Sequence, residues 1–386
     1  MKHWNTAAVA VCAMQLRASR GVLRAVPQPL PGPGIPGNLA VDPRLPSCSV
    51  RRIAFVALSG LVLSQVIQSQ QLPTLTTARQ AHSLSNLEAQ RGYPVHLKGV
   101  VTYFDPDYGT GYAAIFVHDS TGSIFVKPRS DSIMPVPAGT IVDVQGVSGP
   151  GGFGPIVVDP HLHAIGHAPL PPNPPLETLP RLETGFEDAQ WVQVEGTVHA
   201  VLQYSHSVTL RLAMEGGTVS VTLLREPGEP YAPLVDAKIR IRANAAPTIN
   251  SNGQMIGVHL MAPNLSAVSV VEPAPGDPFQ RPPMPIDNLL HWDQLAASHH
   301  RVHLRGKVTL NWPGSSLCIQ DATSGICVQT VQDTPLAAGD VVDVAGFAGP
   351  THINEPCLLY ANCHQAATRG YGHPLEVFRR VDGPSG

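Results

Sequence analysis

The chain is poor in charged residues. Asp, Glu, Lys and Arg make up 14% of its 386 residues, against roughly 25% in an average soluble protein. Its 25 basic and 28 acidic residues leave a formal net charge of −3. Without an excess of positive charge, nothing draws the whole chain toward phosphates or anionic lipids. We therefore expect that nucleic acid is not a partner, and that a membrane is contacted only through an uncleaved signal anchor.

The sequence also lacks a hydrophobic run that would span a bilayer comfortably, which takes about 20 residues. The longest apolar run, residues 53–67, follows Arg51 and Arg52 and precedes a polar stretch. This pattern is typical of a secretory signal. We interpret residues 51–71 as a signal peptide or short anchor, with a buried core helix as the alternative, and residues 1–50 as an unstructured leader or the product of a mis-assigned start. The rest of the chain is then exported to the periplasm or cell envelope.

Motifs of catalysis and of cofactor binding are missing as well. Residues 149–154 have G-x-G-x-x-G spacing but precede a strand, so no helix N-terminus is available for a pyrophosphate. Residues 105–109 offer too few oxygen ligands for a calcium loop. His161 and His163 alternate along a strand without a convincing third metal ligand, and we interpret them as solvent-facing. We expect no enzymatic activity, no cofactor and no metal; a metal-dependent envelope hydrolase is the weaker alternative.

Glycine and proline, by contrast, are abundant, at 35 and 39 residues, as in proteins built from short strands and turns. One strand pattern occurs three times around a central glycine, at Gly99, Gly196 and Gly306. A second strand follows about 45 residues later in each copy, and both strands recur after 97 positions between the first two copies. Alternating apolar and polar residues predict half-buried strands, and the central glycine predicts a bend.

The first and third copies also share a hairpin, at residues 115–126 and 317–328, with Asp, Thr and Gly at its turn. Five strands in about 75 residues fit a small Greek-key barrel of the OB type, whereas a β-sandwich, the alternative, usually has about seven. The predicted fold is all-β, with three tandem OB-like five-stranded Greek-key barrels, each behind a short helical lead-in. The predicted units are residues 72–168, 176–272 and 286–370, with a polar tail at 371–386.

Four stretches carry a resemblance to a known family. They are RGYPVHLKGVVTY (91–103), FVHDSTG (116–122), VQGVSGPGGF (144–153) and QWVQVEG (190–196). They resemble the extracytoplasmic OB-like repeat region of bacterial transmembrane sensor histidine kinases, over roughly residues 72–370. The resemblance implies an exported, non-enzymatic, sensor-like module that binds a ligand or acts as a spacer. Because the kinase part is absent from this sequence, signalling within the chain is not expected.

Aromatic residues are few, at 5%, yet several cluster around the first hairpin and the last loop of the first unit. OB barrels stack ligands on aromatic rings there and attract them with nearby cations. We predict a site for a small molecule, a glycan or an envelope protein; a nucleic-acid-binding OB protein is the rival function, and rings buried in the core are the structural alternative. The predicted site residues are Tyr103, Phe104, Tyr108, Tyr112, Lys127, Arg129 and Phe153.

Four of the six cysteines lie in the third unit. Aligning the hairpins places Cys318 and Cys327 opposite each other on neighbouring strands, where the first unit has two phenylalanines. In an oxidising envelope we expect a Cys318–Cys327 disulfide and a second bridge between Cys357 and Cys363. Reduced core cysteines and a four-cysteine zinc site are the alternatives.

Overall fold

The structure is a computed structural model that describes residues 71–109, 111–128, 135–290, 299–350 and 356–367. The predicted leader, residues 51–70 of the predicted signal, Arg129 and the predicted polar tail lie outside the described residues. In the part of the chain that is described, no helix has the length and apolar character needed to cross a membrane.

The described residues form an all-β protein of three consecutive barrels, as the repeats predict. The strands of barrel 1 are β1 (Pro94–Gly109), β2 (Tyr112–Asp119), β3 (Gly122–Lys127), β4 (Thr140–Gly149) and β5 (Ile156–His167). Those of barrel 2 are β6 (Trp191–Gln203), β7 (Ser207–Met214), β8 (Gly217–Leu224), β9 (Lys238–Ile249), β10 (Met255–Ala262) and β11 (Val268–Glu272). Those of barrel 3 are β12 (Arg301–Trp312), β13 (Ser316–Gln320), β14 (Gly325–Gln329), β15 (Val341–Pro350) and β16 (Pro356–Ala367).

The strand order is the same in all three barrels. Barrel 1 closes in the order β1-β2-β3-β5-β4, and barrel 3 closes as β12-β13-β14-β16-β15. In barrel 2 the final strand is divided in two by a 3₁₀ turn at Leu265–Ala267, and both pieces, β10 and β11, pair with β9. Because β10 also pairs with β8, this ring closes as well. The five-stranded OB-type order predicted from the repeats is therefore present three times.

The central glycine of each first strand lies where that strand passes from one neighbour to the other. Gly99 pairs with β4, and the next residue, Val100, pairs with both β4 and β2. A Cβ atom at Gly99 would lie 2.5 Å from the carbonyl oxygen of His118. Gly196 and Gly306 face a backbone carbonyl in the same way. Glycine is needed here because two backbones approach each other more closely than any side chain permits.

A short lead-in closes one end of each barrel. Barrel 1 is preceded by α1 (Ala78–His82) and α2 (Asn86–Ala89), barrel 2 by α3 (Leu179–Leu182), and barrel 3 by a 3₁₀ turn at Ile286–Leu290. Each lead-in places apolar side chains into the core of the barrel that follows it. Residues 291–298, between this 3₁₀ turn and barrel 3, lie outside the described part.

A first junction joins barrel 1 to barrel 2. The Thr102 hydroxyl on β1 donates a hydrogen bond to Oδ1 of Asn244 on β9, at 2.8 Å. Nδ2 of Asn244 in turn donates to the carbonyl oxygen of Ala189, at 3.0 Å. Both Thr102 and Asn244 are completely buried. The polar groups of this junction therefore satisfy one another out of contact with water, as buried polar groups must.

A second junction joins barrel 2 to barrel 3 through equivalent positions. His199 on β6 stacks on Phe347 on β15 with ring centroids 4.0 Å apart. Nε2 of His199 lies 3.0 Å from the carbonyl oxygen of His299, to which it donates. Strand pairing makes His199 the equivalent of Thr102 and Phe347 the equivalent of Asn244. The same positions of the repeat thus build both junctions with different side chains.

Candidate ligand-binding face of barrel 1

Five aromatic rings follow one another across β1, β2 and β3 of barrel 1. This aromatic row runs from Tyr112 through Tyr108, Phe125 and Phe116 to Tyr103. Successive ring centroids are 6.0, 6.4, 5.2 and 6.2 Å apart, in edge-to-face or tilted arrangements. The strand register explains the order, because Phe116 pairs with Phe125 on one side and with Tyr103 on the other.

One end of the aromatic row is open to solvent. Tyr108 is 43% exposed, and Tyr112 and Phe125 are half-buried. Nζ of Lys127 lies 4.2 Å from the ring centroid of Tyr112, a cation–π contact. A Cβ atom at Gly109 would overlap the Tyr112 ring, so this glycine lets the ring lie against the hairpin backbone. We call the side chains of Tyr108, Tyr112, Phe125 and Lys127 the Tyr108 site.

The other end of the aromatic row is covered by barrel 2. Tyr103 and Phe116 pack with Ala189 and Met261 in the cluster that fills the first junction, and Tyr103 is 1% exposed. The Tyr103 hydroxyl donates to the Asp105 carboxylate at 3.3 Å, and burial, followed by this carboxylate, raises the pKa of Tyr103. As a stacking surface for a ligand, Tyr103 is a wrong prediction, because the next barrel occupies its face.

Three other predicted residues are placed apart from the Tyr108 site or cannot be placed. Phe104 packs against the core of barrel 1. The carbonyl oxygen of Phe153 accepts a hydrogen bond from Nδ2 of Asn86 at 3.0 Å, and its ring lies against Gly185 in the lead-in of barrel 2. Arg129 lies outside the described residues. Of the seven residues predicted from sequence, the structure brings together Tyr108, Tyr112 and Lys127.

Sequence reasoning did not include Phe125 in the site. The signal was present, because Phe125 and Lys127 are two positions apart on β3 and therefore point to the same face. Phe125 also stands at the centre of the aromatic row, with Tyr108 on one side and Phe116 on the other. Phe125 therefore connects the exposed end of the aromatic row with its buried end.

Carboxylates as well as a cation flank the Tyr108 site. Oδ1 of Asp105 accepts a hydrogen bond from the backbone N–H of Asp107 at 3.0 Å. Burial raises the pKa of Tyr108, and the neighbouring Tyr112 and Asp105 raise it further. Tyr108 therefore presents a neutral phenol near pH 7. The site offers two ring surfaces, a phenol hydroxyl, an ammonium group and nearby carboxylates, which suits stacking on a flat ring with a few hydrogen bonds.

A shallow groove of about 650 Å³ lies elsewhere on barrel 1, where α1 meets β1 and β2. Its charged groups already have partners. His96 and Lys98 both contact the Asp143 carboxylate, at 2.9 and 3.5 Å, and Asp119 accepts from the backbone N–H groups of Ala78 and Thr121. The groove therefore has a structural role in holding α1, and the Tyr108 site is the better candidate.

The cysteines are only partly as predicted. Cys318 on β13 and Cys327 on β14 form a disulfide across a directly opposed pair. Cys357 and Cys363 are buried free thiols, and burial raises the pKa of both. The expected second bridge is wrong, because six residues of one extended strand separate these two by roughly 15–20 Å, whereas a disulfide needs Cα atoms within about 7 Å. The Cys357 thiol instead donates to the carbonyl oxygen of Cys327 at 3.0 Å.

Some histidines of the described residues are exposed to solvent and others are buried. His161 and His163 are exposed on β5, and no group of three or more His, Cys, Asp or Glu side chains in the described residues is arranged to hold a metal ion. His303, by contrast, is buried. Its Nδ1 lies 2.7 Å from the carbonyl oxygen of Arg281 and its Nε2 lies 2.9 Å from the Asp343 carboxylate.

No family model matches the chain, and no curated protein matches it. Solved structures similar to it include a murine DNA-binding protein bound to double-stranded DNA, with 14% identity and a TM-score of 0.24, over 45% of this chain and 96% of that one. The HINa domain of Ifi202 with a 20-bp double-stranded DNA has 9% identity and a TM-score of 0.25, over 47% and 95%. Fission yeast Pot1 with single-stranded DNA has 13% identity and a TM-score of 0.24, over 53% and 90%.

The expectation that nucleic acid is not a partner, drawn from the net charge of −3, is contradicted by the DNA-bound proteins among these similar structures and is withdrawn. Whole-chain charge is a poor guide because a stacking site is local. At these identities and TM-scores the similarities do not assign a ligand to this chain, and the resemblance to the sensor-kinase region stays a prediction.

Proposed function

We propose that the chain is a non-enzymatic tandem OB-fold protein that binds a short single-stranded nucleic-acid segment at the Tyr108 site. The observation that supports this proposal is the open end of the aromatic row, where Tyr108 and Tyr112 lie edge to face with ring centroids 6.0 Å apart. Lys127 lies over the second ring. Exposed aromatic rings beside a cation are the means by which OB barrels hold unpaired bases.

The charges at the site indicate what kind of binding to expect. Stacking is worth about 1–3 kcal/mol per base and does not depend on base identity. Lys127 is the cation that contacts the described rings, and Asp105 and Asp107 lie nearby. Binding should therefore depend on stacking more than on phosphate neutralisation. The logarithm of affinity should fall with the logarithm of salt concentration with a slope of about −0.7, as for one phosphate contact on a single strand.

The test is fluorescence anisotropy of the full chain with a labelled thymidine oligonucleotide over a range of salt concentrations. Tyr108→Ala and Tyr112→Ala should each weaken binding by about 5- to 150-fold, which corresponds to the loss of one stacked base. Tyr204→Ala is the matched control, because Tyr204 is an aromatic side chain of barrel 2 that is 53% exposed. Absence of binding at low salt, or an equal loss in the control, would contradict the proposal.

A second candidate is an exported, sensor-like module that binds a glycan at the same site. Two observations favour it. The carboxylates of Asp105 and Asp107 are suited to accept hydrogen bonds from sugar hydroxyls, and residues 51–71 have the pattern of an export signal. Calorimetry with envelope oligosaccharides separates the two candidates. A glycan should bind with almost no salt dependence, and Asp107→Asn should weaken glycan binding while leaving oligonucleotide binding equal or stronger.

A further inference from the structure

Both junctions between barrels cover one position of the repeat that barrel 3 leaves open. The first strand of each barrel has an irregularity in its pairing with the second strand. The position in question is the first paired residue after that irregularity, which is Tyr103, Ala200 or Leu310. Tyr103 is 1% exposed and packs with Ala189 and Met261 of the following barrel, and Ala200 is 8% exposed. Leu310 is 42% exposed. Barrel 3 thus presents to solvent the surface that barrels 1 and 2 bury.

The open surface keeps the geometry of its buried equivalents. The Thr309 hydroxyl donates to the carbonyl oxygen of Cys318 at 3.1 Å, and the equivalent Thr102 hydroxyl lies 3.3 Å from the carbonyl oxygen of Phe116. Trp312, two residues beyond Leu310 and therefore on the same face of the strand, is 59% exposed. We call this surface the trailing face; its members are Thr309, Leu310, Trp312, Cys318 and Cys327. Such an apolar patch is typical of a protein-contact surface.

The surface that docks onto a trailing face is also present at the opposite end of the described chain. Barrels 2 and 3 each pack on the barrel before them, and each is preceded by a residue with positive φ. This residue is Ala189, with φ of 61°, in barrel 2 and His299, with φ of 49°, in barrel 3. Gly92 holds the equivalent position in barrel 1, with φ of 70°. This leading face of barrel 1 consists of Gly92, Tyr93, Val147 and Val158.

The central position of the leading face of barrel 1 is less covered than its equivalents in barrels 2 and 3. Val147 occupies the position of Asn244 and Phe347 in the strand pairing. Asn244 and Phe347 are completely buried, whereas Val147 is half-buried. Among the described residues, the chain therefore carries one open face of each kind.

We propose that these two faces bind each other between copies of the chain, so that barrel 1 of one copy docks on barrel 3 of the next. The occupant is a second copy because the interface continues the two junctions already built within the chain, position by position. Trailing and leading faces differ, so the contact is heterologous, and each bound copy still offers a free face at either end. Association of this kind forms open chains rather than closed dimers.

Sedimentation velocity of the full chain, from about 1 µM to about 500 µM to cover weak affinities, tests this proposal. Wild type should form dimers and then larger species as concentration rises. Leu310→Glu with Trp312→Glu, which removes the trailing face, should remain monomeric, and so should Val147→Glu, which removes the leading face. Val270→Glu is the matched control and should behave as wild type, since Val270 is an apolar strand residue of barrel 2 that is 53% exposed.

Mixing the two monomeric variants gives the decisive measurement. Each variant retains the face that the other lacks, so a 1:1 mixture should form dimers and nothing larger. Circular dichroism confirms that each variant is folded before it is mixed. A wild-type monomer at every concentration, association that persists in the trailing-face variant, or a mixture that stays monomeric would overturn the proposal.

Discussion

At the scale of single residues, the repeat depends on glycines that allow close backbone contact. Gly99, Gly196 and Gly306 each face a carbonyl oxygen of the neighbouring strand. A side chain cannot be accommodated by rotating a neighbour, because the obstacle is backbone. This requirement explains why the sequence pattern of the first strand is centred on glycine in all three copies.

We predict that Gly99→Ala lowers the free energy of unfolding by about 3 kcal/mol. The new methyl group would meet the His118 carbonyl oxygen at 2.5 Å, so β1 and β2 must separate, and forcing atoms into a packed site typically costs about 1–3 kcal/mol or more. Urea unfolding measures the change. Gly166→Ala is the control in the same barrel, since a Cβ there meets Ile141 at an ordinary 3.6 Å; equal losses in both variants would refute the explanation.

At the scale of strands and junctions, equivalent positions carry different chemistry. Thr102 in barrel 1 bonds to a buried asparagine of the next barrel, His199 in barrel 2 stacks on a phenylalanine, and Thr309 in barrel 3 is exposed. The backbone geometry at these positions is shared. The chain therefore allows a comparison between a threonine within a junction, Thr102, and a threonine at the equivalent position outside a junction, Thr309.

Thr102→Val should lower the free energy of unfolding by about 1–3 kcal/mol, because it leaves Oδ1 of the fully buried Asn244 without a donor. Thr309→Val should change it by less than about 0.5 kcal/mol, as is usual for exposed positions. Both substitutions remove a hydroxyl that lies within 3.3 Å of the equivalent carbonyl oxygen in its own barrel. The difference between the two thus isolates the junction, and equal values in denaturant titrations would show that the Asn244 contact contributes nothing.

The elements themselves could be predicted because their signals are local. Alternating residues and the central glycine predict the first strand, and the hairpin alignment predicts that Cys318 and Cys327 are opposed, as they are. The junctions could not be predicted, since Asn244 and Phe347 share a position without sharing a chemical property. For the same reason the sequence shows which residues of barrel 1 are aromatic but not which end of the aromatic row barrel 2 covers. Sequence analysis therefore places Tyr103 in the site and leaves Phe125 out.

At the scale of the whole molecule, both junctions contain groups that titrate. At the first, the Asp188 carboxylate in the lead-in of barrel 2 lies 3.9 Å from Nε2 of His82 on α1. The second contains His199, whose pKa burial lowers to about 4, and Asp236, whose Oδ1 accepts from the backbone N–H of Arg301 and contacts the His300 ring. Acidification should therefore act on the contact between barrels 2 and 3.

The sign follows from linkage between protonation and folding. An unfolded chain takes up a proton on His199 as the pH falls below about 6.5, whereas the folded chain does not until about 4. The stability contributed by the neutral ring is therefore fully present above pH 6.5 and is lost progressively between 6.5 and 4. At pH 5 the loss amounts to about 2 kcal/mol.

We predict that His199→Gln removes this part of the pH dependence, because glutamine does not titrate and its amide can still donate to the His299 carbonyl oxygen. The difference in unfolding free energy between wild type and variant should shift by about 2 kcal/mol between pH 7.5 and pH 5 in favour of the variant, since all other titrating groups are common to both. His163→Gln, an exposed histidine on β5, should show no such shift. Calorimetry at the two pH values also reports whether barrel 3 separates first: wild type at pH 5 should gain an early transition that His199→Gln lacks, and a single unchanged transition would mean that the second junction does not sense pH.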